Sequence, residues 1–526
     1  MALTLSLFPI VLLIYLMVKR NSMPSFIALP LIALLVYVLQ LTYFDQDFML
    51  INANVISGII ATQTPVTIIF GAILFNRMME ISGSTNVLRQ WLSNINPNPV
   101  AQLMIIGWAF AFMIEGASGF GTPAAIAAPI LVGLGFNPIK VAIFALVMNS
   151  VPVSFGAVGT PTWFGFAPLK LGEETLLQIG YQSAIIHFFA AFVIPLIALR
   201  FITNWTAIRN NIVFIYLSIL SCTIPYLLLA KVNYEFPSLV GGAIGLFISI
   251  LLANKGIGLV KTSDNSEKSP LPLATIVKAM TPTMLLILIL IVTRIHQLGI
   301  KALLNDATTW FSLSLGQFGQ FEVSRALILS LKDILGQGVS DSYKTLYVPS
   351  LIPFIITVLI SLVLFKVNKN NTKAIFSSTF QQTKKPFFAL IGALIMVKLM
   401  LLGGENSMVQ TIGRDFAAAT GANWTYFSAY LGAIGAFFSG SNTVSNLTFG
   451  GIQYSIAQTT ALSVPLVLAL QSVGGAMGNM VCINNVIAVC SVLDVKNQEG
   501  AIIKKTVIPM LVYGVIAALV ATLILS

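Results

Sequence analysis

Hydrophobic positions in this chain run in long stretches separated by short polar or basic interruptions. Fourteen such stretches stand out, from 3–19, 25–44 and 50–76 through 178–200 and 346–366 to 502–525. A helix needs roughly 20 mostly apolar residues to cross a bilayer, so the pattern predicts an all-α polytopic membrane protein. Two further stretches, 118–135 and 440–457, are rich in small residues, and their length suits either a full crossing or a re-entrant hairpin. The clear linkers are the polar 255–272 segment, with Ser263, Asp264, Ser266, Glu267 and Pro270, and a mixed 296–345 stretch that reads as a loop. The first run, Leu3 to Val18, has no basic stretch before it and no small-residue cleavage site after it, so it reads as a retained span.

Composition closes off other classes. Of 526 residues, 57% are hydrophobic and 9% charged, against about 25% charged in a soluble domain. The net charge of +11 resides in short Lys and Arg clusters between apolar runs, which is how topology is set, and nucleic-acid binding is not indicated. Lys19 and Arg20, Arg77 and Arg89, Arg200 and Arg209, Lys255 to Lys278, Lys366 to Lys385, and Lys496 to Lys505 are expected on the cytoplasmic side. Asp45 and Asp47 then face outward, with the amino terminus outside. For this to hold, six crossings must lie between Asn21 and Arg200, where five strong segments are found; either 118–135 crosses or one cluster breaks the rule. Cys222, Cys482 and Cys490 have neither CxxC nor metal-type spacing. No metal site, disulfide framework or cofactor is expected.

An internal repeat divides the chain. Asn149-Ser150-Val151 and Gly156 match Gln471-Ser472-Val473 and Gly478 at an offset of 322, and Thr122 matches Thr443 at 321. The span at 25–44 begins beside Lys19 and Arg20, whereas its counterpart at 346–366 ends at Lys366 and Lys369. The span at 178–200 ends on Arg200, whereas its counterpart at 502–525 begins with Lys504 and Lys505. Opposite charge polarity predicts two inverted-topology repeats, residues 1–254 and 273–526, joined by a cytoplasmic linker at 255–272. Such repeats imply alternating access, with broken helices or re-entrant hairpins meeting near the membrane midplane.

The breaks are expected at 115–165 and 439–490. In EGASGFGTPAAIAAP (115–129) and NSVPVSFGAVGTPTWFG (149–165), repeated Pro and Gly oppose a continuous helix. Exposed N–H groups at half-helix starts bind anions, and nearby hydroxyls add donors, which suits a carboxylate. The candidate substrate-binding residues are Ser118, Gly119, Gly121, Thr122, Ser150 and Thr160, with Ser439, Ser441, Asn442, Thr443, Ser445 and Asn446 from SGSNTVSN in the second half. Close helix packing by small residues is the competing reading.

Ionisable residues inside apolar runs are functional candidates, because an unpaired buried charge is costly. Glu115, at the entry to the first break, is the leading proton carrier. Lys398, with no acidic neighbour on its own span, is expected to pair with Glu115, attract the substrate anion, or snorkel outward. His187 and His296 can titrate near physiological pH, and His187 is a second proton-coupling candidate against a structural, hydrogen-bonded role. Arg414 and Asp415 read as a solvated outer face, and Arg77 with Glu80 as an i,i+3 ion pair at the interface.

EGASGFGTPAAIAAPILVGLGF (115–136), SGSNTVSNLTFGGIQ (439–453) and GGAMGNMVCINNVIAV (474–489) resemble the markers of the bacterial L-lactate permease family, and the likeness extends to 342–354 and 392–404. Departures fall at Asn442, where many relatives carry an acidic residue, and at Asn484-Asn485, where they carry Pro-Gln. The resemblance implies a multi-pass protein of the bacterial inner membrane that takes up L-lactate and related 2-hydroxy monocarboxylates such as glycolate together with protons. Its partners would be the small acid, the proton and the lipid bilayer; the oligomeric state is left open. A carrier of another organic anion, whether dicarboxylate or short-chain fatty acid and sodium-coupled or not, shares this architecture, and a passive anion channel is a different class. A dicarboxylate calls for more fixed positive charge than Lys398 supplies. An enzyme such as a lipid-linked transferase calls for acidic or His clusters and an aqueous domain, which the sequence lacks.

Overall fold

The computed structural model describes residues 1–18, 23–119, 122–261, 271–294, 298–348, 350–495 and 498–525. Lys19, Arg20, Gly121, His296, Lys496 and the 262–270 part of the linker lie outside the described residues, and only the backbone of Thr122 is described. Among the described residues, eight helices are long and apolar enough to cross a membrane, and two pairs bent by 59° and 45° raise this to ten. The remaining apolar stretches of the sequence include shorter helices such as Ala2–Met17, Leu351–Leu364 and Ile483–Val492.

The 296–345 stretch, expected as a loop, contains a small antiparallel sheet. Strands β1 (Thr309–Ser314), β2 (Gln320–Ser324), β3 (Ile328–Ile334) and β4 (Val339–Lys344) follow one another in the order β1-β2-β3-β4. Their period of two and the glycine-rich turns at Gly316–Gly319 and Gly336–Gly338 carry the signal, but a reading scaled to membrane-span length averages strands of five to seven residues away. On β2, the Lys332 ammonium of β3 at 2.7 Å holds the Glu322 carboxyl below its usual range.

The chain forms two compact units, each joining an earlier to a later stretch: Met1–Thr85 with Val277–Asp415, and Asn86–Ile276 with Phe416–Ser526. In the first, helices Ser25–Thr42, Phe48–Ile81 and Lys369–Met400 pack together. Asp47 caps Phe48–Ile81 by accepting from Leu50 N at 2.9 Å, which satisfies an otherwise orphaned donor. Arg77 and Glu80 form the expected i,i+3 pair at 2.6 Å on the surface.

Lys398 is engaged within this unit. Its ammonium lies 2.9 Å from Asp341 of β4 and donates to Ser57 Oγ at 2.9 Å, while Ser57 donates to the same Asp341 oxygen at 2.7 Å. Both charged side chains are mostly buried, 20% and 17% exposed. The triad therefore fastens the sheet to two helices, and Tyr343 adds a hydrogen bond to Thr67 at 3.1 Å.

In the second unit, Trp108 and Phe112 of helix Pro99–Ser118, Tyr226 of helix Ile212–Ala230 and Phe155 of the turn Pro152–Phe155 form an edge-to-face ladder, with successive centroids 5.2, 5.5 and 5.1 Å apart. Each such contact adds about 1 kcal/mol beyond area burial, so the ladder braces the irregular turn from behind. Helices Trp424–Ser439 and Val464–Gly478 approach until Gly474 rests on the Ala429 backbone, where a Cβ would not fit.

Removing one partner of the Lys398–Asp341 pair strands the other. Lys398→Met or Asp341→Leu is expected to cost about 3 kcal/mol, and the two together less than the sum. Thermal unfolding of the detergent-solubilised protein checks this; additive losses would show that the two residues are not coupled.

Candidate functional site

The breaks expected from Gly and Pro are present in the second unit. Helix Pro99–Ser118 ends at Gly119, which has φ 58° and ψ −153°, and a new helix, Thr122–Gly133, follows. Helix Trp424–Ser439 ends at Gly440, with φ 75°, and Asn442–Thr459 follows. Gly119 and Gly440 are separated by the same 321 positions as Thr122 and Thr443. Twelve residues make a helix only about 18 Å long, short of a bilayer core of about 30 Å, so Thr122–Gly133 does not cross alone.

The other matched pair behaves differently in its two copies. At Asn149 the helix Pro138–Met148 stops, whereas Gln471 lies inside Val464–Gly478, and the interruption there comes at Asn479. After the short turn Pro152–Phe155 the chain takes a left-handed path through Ala157 (φ 45°), Val158 (φ 58°) and Gly159 (φ 70°). Positive φ is a strained conformation for a β-branched residue. Polar side chains hold this segment: Thr160 Oγ1 donates to Ala157 O, Trp163 Nε1 to Val158 O at 3.0 Å and Thr162 Oγ1 to Ser154 O at 3.0 Å.

Between the breaks lies a cavity of about 20 Å³, lined by Glu115, Gly119, Val153, Gly156, Ala157, Pro161, Gly440, Ser441, Asn442, Thr443 and Asn479. That is room for about one water molecule. Glu115 is 2% exposed. Its Oε2 accepts from Asn149 Nδ2 at 3.0 Å, and its Oε1 lies where a Cβ on Gly156 would fall. Opposite, Ser441 caps Asn442–Thr459 by accepting from Val444 N at 3.3 Å. Asn442, 2% exposed, has no hydrogen-bond partner among the described residues for either its amide nitrogen or its amide oxygen.

Of the candidate site residues, Glu115, Gly119, Ser441, Asn442 and Thr443 line this cavity, as does Gly156 of the repeat, whereas Ser118, Ser150, Thr160, His187, Ser439, Ser445 and Asn446 stand outside its lining. Ser118 donates to Ile114 O at 3.1 Å, Ser150 to Val147 O at 2.7 Å, Ser439 to Gly435 O at 2.8 Å and Ser445 to Gly432 O at 2.7 Å. Asn446 donates to Pro161 O at 3.0 Å. His187 is fully buried, with Nε2 2.8 Å from Ser154 Oγ and Nδ1 2.5 Å from Tyr513 OH; two hydroxyls, each able to donate or accept, satisfy either neutral tautomer. Glu115 takes its bond from Asn149 while Lys398 pairs with Asp341, so of the alternatives expected for Lys398, the pairing with Glu115 gives way to two separate partnerships. Neither Asn149 nor Asp341 was identified as a partner from sequence. The doubled Asn/Gln-Ser-Val motif marked Asn149, and only strand alternation in VSDSYK could have marked Asp341. Among the described residues no three His, Cys, Asp or Glu side chains gather as a metal site.

Interrupted apolar helices around a small cavity with buried polar side chains in its lining define a multi-pass helical membrane protein. The family profile for L-lactate permease matches residues 2–526, and the chain belongs to that family. It is therefore a multi-pass permease of the bacterial inner membrane. It is 68% identical over 515 residues to a Haemophilus influenzae protein provisionally named as an L-lactate permease, covering 98% of this chain and 97% of that one. It is 24% identical over 491 residues to the L-lactate permease of Salmonella typhimurium, covering 90% and 86% of the two chains. It is 24% identical over 483 residues to the glycolate permease of Escherichia coli, covering 87% and 83%. Among solved structures, Neisseria gonorrhoeae MtrF aligns over 97% of both chains with a TM-score of 0.48 and 12% identity. The Alcanivorax borkumensis YdaH transporter aligns over 88% and 86% with a TM-score of 0.44 and 14% identity. Both scores are too low for a shared fold to follow.

Gly119 has backbone angles reserved for glycine, and an added Cβ would also press on Ala157 at 3.0 Å. Gly119→Ala is expected to cost about 1–3 kcal/mol, and Gly440→Ala, in the ordinary left-handed region, about 1 kcal/mol. Unfolding midpoints of the two variants in detergent check the order; an equal or reversed loss contradicts it.

Proposed function

We propose that this permease takes up L-lactate and related 2-hydroxy monocarboxylates, glycolate among them, together with a proton. The observation that carries this reading is one small cavity holding both a buried carboxyl group, Glu115, and a buried amide, Asn442, at the start of a helix and unpartnered among the described residues. The family membership supports the substrate class. Its relatives include proteins named as permeases for lactate and for glycolate, two acids that share a carboxylate and an adjacent hydroxyl.

The chemistry follows from the groups present. Moving a carboxylate inward against an inside-negative potential costs about 2.3 kcal/mol per 100 mV, and a proton carried with it cancels that cost. Glu115 is the proton site, because a buried carboxylate with a single amide donor is costly unless it is paired or protonated. The N–H groups of Asn442 and Thr443, ahead of Val444 N which Ser441 caps, receive the substrate carboxylate, and the Asn442 amide, able to donate and accept, takes the 2-hydroxyl together with Thr443. With room for about one water molecule, the cavity must widen to admit the acid, in keeping with alternating access. In this cycle the halves 1–254 and 273–526 act as inverted repeats that supply its two walls. Lys398, engaged with Asp341 in the other unit, serves the sheet rather than the anion.

Proteoliposomes offered labelled lactate, glycolate, propionate and succinate, under an imposed pH gradient or a sodium gradient, test the reading. Lactate and glycolate accumulation driven by the pH gradient is expected; accumulation of succinate driven by sodium would overturn it. Glu115→Gln should abolish gradient-driven accumulation while retaining exchange of labelled for unlabelled lactate, since Gln mimics the neutral acid. Undiminished accumulation assigns the proton to another group. Asn442→Ala should lower lactate uptake about tenfold more than propionate uptake, because a site built to pair a hydroxyl discriminates by that pairing. Equal losses would reduce Asn442 to a packing role.

A further inference from the structure

Behind the cavity wall, four side chains of the second unit are joined head to tail. Trp424 Nε1 donates to Gln453 Oε1 at 2.6 Å, and Gln453 Nε2 donates to Gln471 Oε1 at 2.9 Å. Gln471 Nε2 points at Asn446 Oδ1 at 3.4 Å and at Ser445 Oγ at 3.0 Å, and Asn446 Nδ2 donates to Pro161 O at 3.0 Å. The three amides are fully buried or nearly so, at 0%, 0% and 1% exposure. The ends fix the direction. Indole N–H can only donate, and the Pro161 carbonyl can only accept, so each amide between them must present oxygen toward Trp424 and nitrogen toward Pro161. Ser428 strengthens the first joint by donating to Gln453 Oε1 at 3.0 Å and accepting from Gln453 Nε2 through its carbonyl at 2.9 Å.

The chain ends on the cavity. Pro161 lines it and follows the left-handed turn Ala157–Gly159, whereas Asn446 is outside the lining. A carbonyl freed by an interrupted helix needs a donor when buried, and Asn446 provides it. We propose that the amide chain Trp424–Gln453–Gln471–Asn446 positions the Pro161 segment of the cavity wall and thereby sets substrate affinity and the preference between lactate and glycolate. Asn446 is on this account a positioning residue and not a substrate ligand. The inference rests on the function proposed for the cavity.

The test replaces Asn446 by Leu, which keeps the shape but has no donor, and by Asp, which at acid pH is neutral and keeps one O–H donor for Pro161 O. The lactate and glycolate KM values for exchange across proteoliposomes without an imposed gradient are measured at acid pH, each variant relative to wild type at the same pH. Asn446→Leu is expected to raise the lactate KM at least tenfold with little change in maximal rate and to change the glycolate KM by a different factor, whereas Asn446→Asp stays near wild type. Trp424→Phe, which removes the terminal donor far along the chain, should change both KM values in the same direction as Asn446→Leu by smaller factors. Wild-type affinity in Asn446→Leu, or equal behaviour of the Leu and Asp variants, would overturn the proposal. Failure of the function reading shows separately, as absence of lactate exchange in the wild type; the same KM comparison then uses whichever acid of the panel is carried.

Discussion

A backbone polar group that leaves a helix at membrane depth must find a partner inside the protein, since hydrocarbon offers none. Much of the second unit is an answer to that requirement. Each break opens orphaned donors and acceptors, and the hydroxyls and amides concentrated around it are largely spent on them. Thr160, Thr162 and Trp163 return to carbonyls of the 154–158 segment. Ser439 accepts from Ser441 N at 3.2 Å across the Gly440 corner, and Asn446 reaches over to Pro161. The 157–159 turn and the Gly440 corner are each held by side chains whose own burial would otherwise be unfavourable.

The first unit meets a different demand. Among the described residues its long helices Ser25–Thr42, Phe48–Ile81 and Lys369–Met400 run unbroken, and one of its mostly buried polar contacts is ionic. Lys398 would be prohibitively exposed to apolar surroundings without a counter-charge, and Asp341 arrives from a strand instead of a neighbouring helix. The sheet thus contributes a charge that no helix of the unit supplies to Lys398, at the cost of an apolar edge: Trp310, Phe311 and Leu313 of β1 are exposed.

The helical membrane class was plain in the sequence, because span-length apolar runs and sparse charge leave no other fold. So were the breaks, since Gly119 and Gly440 stand where the backbone must turn through positive φ, a requirement that residue type announces. The sheet was not legible at the same scale, because its alternation occupies only a few residues at a time. Partnerships between distant positions were also hidden: nothing in the local pattern ties Lys398 to Asp341 or Glu115 to Asn149. Composition identified the polar residues of SGSNTVSN, but it could not tell which of them the fold itself consumes.

That last distinction is what the structure adds, and it falls within one helix. Asn442 and Asn446 are separated by one turn and face the same way, yet their fates differ. Asn446 accepts from Gln471 and donates to Pro161, so its amide is used up in shaping the wall. Asn442, buried to nearly the same degree, has neither atom paired among the described residues. An unpaired buried amide costs on the order of 1–3 kcal/mol, a cost that a purely structural residue would have no reason to impose and that an apolar side chain would remove. Four positions apart, the same residue type thus serves opposite ends: one supplies the donor that lets the helix break exist, and the other keeps its hydrogen-bonding capacity for what enters the break.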